Sequence, residues 1–319
     1  MKKLVTMLLC LVLVIGTACM FGCGDATFNG NYKTVTEEEQ ATFVQEAAKA
    51  EKASISSIDF TKGADVSLSV KGKVKNDDVN VNVDASVSLK AIAVTVDEKT
   101  DYQAEVAVKA KADGVPTVEK VDADVKAYYA DETAYLNGSV QIGKDAEGKI
   151  DLKNFISLKG MDIQSLVAML SGMAGDAMDE LPIDIDQISG ILDTNLIQTV
   201  VGLSALVNMS EESGISVNLL FDLNANKVKA EIKVDKDDTK IDGALYIVLD
   251  ENYNLTAVKI ELKATVDGGD ISVDFSFKGY NGKVNVPNEN ERKDYKDFNT
   301  DAELQLKISA IMGKLNPKQ

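Results

Sequence analysis

The residue types that could do chemistry in this chain are thiols, carboxylates and one guanidinium, and most lack the partners they need. Cys10, Cys19 and Cys23 all lie near the N-terminus, and Cys19 and Cys23 each follow a small residue, Ala18 and Gly22. A thiol can be alkylated, can bind a soft metal, or can attack a carbonyl when a base takes its proton. The chain has no histidine, so neither a Ser-His-Asp nor a Cys-His arrangement can be assembled. The common zinc sites built from His and Cys are excluded for the same reason. Arg292 is the single arginine, too little for bidentate clamps on phosphate. Paired carboxylates can hydrolyse glycosides. With 51 acids many pairs arise by chance, and no tryptophan is present to form a sugar platform. Asp235-Lys236-Asp237-Asp238-Thr239 has calcium-loop character but lacks the sixth-position glycine and the distal glutamate. No catalytic residue, metal or cofactor is expected.

Alkylation of a cysteine remains. Lys2 and Lys3 precede an apolar run from Leu4 to Ile15, and small residues follow. A basic start, a short apolar stretch and a small-residue cleavage point read as a secretory signal peptide. The run is too short for a membrane-spanning helix, which needs about 20 residues. Met20-Phe21-Gly22-Cys23 resembles the lipobox of bacterial lipoproteins. The resemblance implies residues 1–22 as signal peptide, an N-terminal diacylglyceryl Cys23, palmitate-type acylation and attachment to the outside of a bacterial cell membrane. Gly16-Thr17-Ala18-Cys19 is the alternative acceptor site. Acyl chains contribute about 0.8 kcal/mol per buried methylene, so two chains anchor durably. Residues 23–35 then form a linker between anchor and fold.

Cleavage before Cys23 leaves one cysteine and no internal disulfide. The mature chain must hold by core burial alone, and about 297 residues suffice for that. Loss of Lys2 and Lys3 leaves 32 basic against 51 acidic side chains, a net −19 compared with −17 for the whole chain. Such a surface repels phosphate backbones, which argues against nucleic acid as a partner.

The elements follow from hydrophobic period. Thr36-Glu37-Glu38-Glu39 is a capping box and predicts a helix over 37–52. From 62 to 152 apolar residues alternate, as in Val79 to Leu89 and Val121 to Tyr129, which signals half-buried antiparallel strands. The alternation shifts phase between Leu89 and Ile92, which predicts a bulge near Lys90-Ala91. Between Gly160 and Asn226 there are ten acids and no basic residue. This segment has helical spacing, with Met161, Met169, Met173 and Met178 and a second apolar run after an N-cap at Asp193. Strands resume over 214–287. Asn288 to Asn299 reads as a surface linker. Thr300 to Glu303 is a second capping box and opens a C-terminal helix over 300–315.

The resulting class is α+β. About eleven strands form a large curved antiparallel sheet, with a helical insert over 158–212 on its concave face and short terminal helices. This order resembles the LolA/LppX/LprG superfamily of half-barrel lipid and lipoprotein carriers, together with the lipobox and a last strand ending near Val284-Asn285-Val286-Pro287. The resemblance covers most of residues 36–319 as a single domain and implies an apolar cavity for acyl chains. The expected function is binding or shuttling of a lipid or lipidated molecule without catalysis. The alternative is a cell-envelope surface module, with a protein partner and no ligand cavity. Residues expected to line the ligand site are Leu166, Met169, Leu170, Met173, Ile197, Val200 and Val201.

Overall fold

The structure is a computed structural model. It describes residues 26–50, 52–54, 63–75, 80–96, 99–115, 119–145, 148–159, 195–208, 214–236, 239–266 and 269–315. The expected signal peptide, both candidate lipidation cysteines, and Leu166, Met169, Leu170 and Met173 lie outside the described residues.

The chain is mainly β, with twelve described strands in open, almost wholly antiparallel order. It falls into two compact units. The first holds β1 (Gly63–Lys75), β2 (Asn80–Val96), β3 (Lys99–Val115), β4 (Glu119–Ala130), β5 (Thr133–Ile142), β6 (Lys149–Ser157) and the two-residue β12 (Lys296–Asp297). The second holds β7 (Ile215–Asp222), β8 (Lys227–Lys236), β9 (Thr239–Leu249), β10 (Leu255–Val266) and β11 (Gly269–Gly279). Within each unit consecutive strands are neighbours, as short hairpin connections require. Only β12 runs parallel, on the outer side of β6.

Among the described residues four α-helices accompany the strands. Helix α1 (Glu37–Lys49) starts at the expected capping box: Glu39 N donates to the Thr36 hydroxyl (3.2 Å) and Thr36 N to the Glu39 carboxylate (2.8 Å). Thr36 donates to that carboxylate from its amide and also from its hydroxyl (3.0 Å), and these two bonds hold the Glu39 carboxyl below its ordinary value. The helix stops three residues short of the expected 52. Ala50 is extended, which lets the Lys52 and Ala53 carbonyls accept from Leu255 N (2.7 Å) and Leu196 N (3.2 Å). Helix α2 (Leu196–Asn208) is capped by Asn195, whose side-chain oxygen accepts from Gln198 N at 3.2 Å; Asp193, the expected cap, lies outside the described residues. The stretch expected as a surface linker is folded. Asn288 and Glu291 form a capping box on the single turn α3 (Glu289–Arg292), and Tyr295 is buried edge-on against Tyr135 at 5.3 Å. Arg292 stands over the Tyr135 ring at 5.2 Å, pairs with Asp131, and donates from Nε to the Pro287 carbonyl (2.8 Å). The lone arginine is thus a structural clamp. Helix α4 (Ala302–Leu315) takes Asp301, not Thr300, as its N-cap, with Leu304 N donating at 3.2 Å. A hydrogen bond from Asn154 (3.1 Å) and that cap hold the Asp301 carboxyl low. Leu304 and Ile308 seat the helix on Ile150 and Leu152.

The expected bulge in β2 is absent. Its register with β1 and with β3 runs unbroken through Leu89, Lys90, Ala91 and Ile92. Successive side chains alternate in facing, so Ile92 and Val94 lie on the face opposite Val81 to Leu89. The phase shift in the sequence marks apolar residues changing faces, not a kink in the strand. One face of the first unit carries mostly Val and Ala: Val87 opposes Val108, which opposes Val125, and Ala85 opposes Ala110.

On the polar face of β1, Asp65 is 7% exposed and lies directly across from Lys90, whose ammonium sits 5.7 Å from the centre of the Tyr280 ring. Burial raises the Asp65 carboxyl above its ordinary value, and Lys90 opposes this only in part. A raised folded-state pKa makes the ionised form costly, so this contribution to stability is full at low pH and is lost as pH rises through the raised value. Asp65→Asn is expected to be at least as stable as the parent at pH 7, with the advantage vanishing below about pH 4, near the ordinary carboxyl value. Urea midpoints of both chains from pH 3 to 8 check this. A variant markedly weaker at pH 7 would mean that attraction to Lys90 outweighs the burial cost.

Candidate functional site

The second unit presents two contrasting sheet faces, which follow from strict alternation on five paired strands. On one face Phe221, Val228, Ile247 and Val258 stand opposite one another in successive strands. Unlike the Val and Ala face of the first unit, this face carries Phe, Leu and Ile. Helices α1 and α2 cover one end of it. Phe43 meets Phe221 edge-to-face at 5.5 Å and Tyr253 at 5.3 Å. Ile197 and Val200 are buried in the same cluster, and Val201 packs partly buried against it. These three expected lining residues therefore fill the core between α2 and the sheet.

Beyond these helices the same apolar face continues, and among the described residues part of it is exposed. Ile260 is 40% exposed and Ile215 is 39% exposed. Ile232, Leu262, Val273 and Phe275, on the same face, are half-buried. Ile260 lies between Leu245 on β9 and Phe275 on β11, so three strands contribute to one apolar surface. Apolar surface left exposed beside a packed core is surface that another apolar group could cover.

The other face is a charge ladder. Lys229, Tyr246 and Lys259 form one cross-strand row, and Glu231, Ala244 and Glu261 the next. A third row is Lys233, Asp242 and Lys263. Each lysine of the first row pairs with the glutamate two residues along its own strand. Both ammonium groups also flank the Tyr246 ring, at 5.5 and 5.8 Å. Burial, then the hydrogen bond to Glu261 (3.0 Å), pushes the Tyr246 hydroxyl up to about 12. Burial alone would raise the Glu261 carboxyl, but the bonds and charges of its neighbours, Lys259 foremost, bring it below its ordinary value. A tyrosine hydroxyl pushed up to about 12 stays protonated near neutral pH and is no ready base there. The signal for this ladder lies in the sequence as the repeated pattern Lys-x-Glu-x-Lys at 229–233 and 259–263.

The N-terminal segment lies on this ladder. A 3-10 turn at Ala26–Phe28 buries Phe28 against Val248, Ala257 and Tyr246. Tyr32 contacts the Tyr246 ring edge-on at 5.8 Å, and burial pushes its hydroxyl up to about 12. Lys33 then bridges Phe221 on edge strand β7, donating and accepting at 3.0 and 2.8 Å. The chain passes round that edge to α1 on the opposite face. Residues 26–35, expected as linker, are therefore part of the fold, and their bridge shields part of an exposed edge.

An open polar cleft of about 500 Å³ lies between the β7–β8 and β9–β10 turns, lined by Asn224, Asn226, Asp250, Glu251 and Asn252 among others. The Asp250 carboxylate is committed to its own loop, accepting from Asn252 N (2.8 Å) and Asn254 N (2.9 Å). Among the described residues no cluster of three or more acids, histidines or cysteines could hold a metal ion. No helix among them is long and apolar enough to cross a membrane.

No protein-family model and no curated protein sequence matches this chain. Among solved structures, the translocator domain of the autotransporter NalP from Neisseria meningitidis aligns over 80% of this chain and 100% of its own length, at 10% identity and a TM-score of 0.20. A likeness that slight carries nothing about fold or function.

Proposed function

We propose that this chain is an extracytoplasmic lipoprotein, anchored by a diacylglyceryl Cys23, that binds the acyl part of a lipid or lipidated molecule without catalysis. The carrying observation is the partly exposed apolar face of the second unit, where, among the described residues, Ile260 and Ile215 are 40% and 39% exposed at the margin of a packed core. A soluble surface has little reason to keep such a row unless something covers it. The helix-covered half-barrel of the LolA/LppX/LprG carriers belongs to this proposal as its finer architecture. The filled contact between α2 and β7 moves the proposed ligand surface away from Ile197 and Val200 and towards Ile260, Leu262 and Phe275.

Two measurements test the reading. Native mass spectrometry of the protein from its own membranes is expected to show a co-purifying lipid. A fluorescent fatty acid is expected to bind, and Ile260→Asp to weaken it at least about tenfold, because a carboxylate replaces a methyl surface worth roughly 2 kcal/mol on burial. Ile260 is partly exposed already, so the variant should fold as the parent does. Absence of lipid, or equal probe affinity in both chains, refutes the proposal.

The solid packing of Ile197, Val200 and Phe221 beneath α2 favours a second reading, a surface module with a protein partner. In that case Ile260→Asp releases an envelope protein from cross-linked membranes and leaves acyl-probe binding at zero in both chains.

A further inference from the structure

We infer that the acylated protein has no free tether and that its second unit is held directly against the headgroups of a phospholipid bilayer. The inference rests on acylation at Cys23. Ordinarily a lipid anchor leaves its domain on a flexible linker. Here Phe28 is 5% exposed, locked beneath Tyr246 and against Val248 and Ala257. Lys227 Nζ donates to the Asn29 carbonyl at 2.6 Å, Asn31 N donates to the Asp222 carboxylate at 2.8 Å, and the Tyr32 hydroxyl donates to the Phe28 carbonyl at 3.0 Å. The two backbone bonds between Lys33 and Phe221 close the clasp.

Only Gly24 and Asp25 separate Cys23 from Ala26, the first residue of the docked turn. Three residue steps span at most about 10 Å however the chain is arranged. Acylation at Cys19 would allow seven steps, about 25 Å by the same measure. Phe28 docks beside Val248 and Ala257, next to the β9–β10 turn, and Lys33 docks beside the β7–β8 turn. The membrane-facing end of the second unit is therefore the end that carries Asn224 to Asn226 and Asp250 to Asn254. The opposite end, with Asp242 and Lys263, points away along the strands. From Asp242 to Leu249 on β9 that separation is about 23 Å.

The test uses the acylated full-length mature protein, which has no other cysteine than Cys23. Glu251→Cys and Asp242→Cys each introduce one label site, both exposed. Each labelled protein is reconstituted in phosphatidylcholine–phosphatidylglycerol vesicles carrying a headgroup-attached quencher. Position 251 is expected to be quenched several-fold more than position 242. A ten-residue Gly-Ser spacer inserted between Asp25 and Ala26 adds a flexible reach of about 17 Å and is expected to bring the two positions close to equal. Equal quenching with the native tether, or a difference that the spacer leaves unchanged, overturns the inference while the anchor stands. Mass analysis of the N-terminal peptide separates the two failures: an unmodified Cys23, or acylation at Cys19, overturns the inference at its starting point.

Discussion

Phe221→Ala is expected to cost the second unit about 3–5 kcal/mol, the usual range for removing a buried aromatic. Phe221 is wholly buried, and its ring receives Phe43 edge-on while its backbone holds Lys33. It joins α1, the β7 edge and the N-terminal clasp at one point. A loss of this size is a large part of the 5–15 kcal/mol that ordinarily separates folded from unfolded chains. Urea unfolding followed by near-ultraviolet circular dichroism of the tyrosines should show the midpoint fall sharply. The companion Phe43→Leu keeps apolar volume and is expected to lose much less, including an edge-to-face term of about 0.5–1.5 kcal/mol. A shift for Phe221→Ala below about 1 kcal/mol would mean that the cluster collapses to fill the space, and that the clasp does not depend on this ring.

Gly138→Ala is the other large effect. Gly138 lies in the middle of β5 with φ of +138°, a conformation that L side chains rarely adopt. A Cβ at this position would stand 2.1 Å from the Asp124 carbonyl oxygen and 2.8 Å from the Val125 Cα. Both are backbone atoms of β4, paired on both sides, and cannot swing aside. Strained backbone costs of order 1–3 kcal/mol and overpacking a similar amount, so a loss of about 3 kcal/mol or more is expected. Hydrogen exchange should show protection lost first across the β4–β5 ladder. Gly202→Ala in α2 is the control. Nothing lies within 4 Å of a Cβ there, and alanine is expected to stabilise the helix by up to about 1 kcal/mol. If both substitutions have the same sign, local strain is not what distinguishes them.

The strands, their turns and the first helix cap were legible because their signals are local. Alternation of Val66, Leu68 and Val70 needs only the two-residue period of a strand, and Thr36 with Glu39 needs only one helical turn. The absence of histidine likewise excludes by itself the His-dependent triads and the common His-Cys zinc sites. The remaining features depended on residues far apart in the chain. The unbroken register of β2 was set by its pairing on both sides, which a phase shift read along one strand cannot reveal. Asn195 and Asp301 became caps because Ala47 and Asn154 lie where they hold those side chains, by bonds of 3.2 and 3.1 Å. Phe28 read as linker because its partners, Val248 and Ala257, lie more than two hundred residues on. The expected ligand lining lay on the insert and α2, Ile197 and Val200 among it, and not on β10. Tertiary structure alone decided that Ile197 and Val200 are covered by the sheet while Ile260 is left at its margin, because burial is a property of what comes to lie opposite a residue and not of the residue itself.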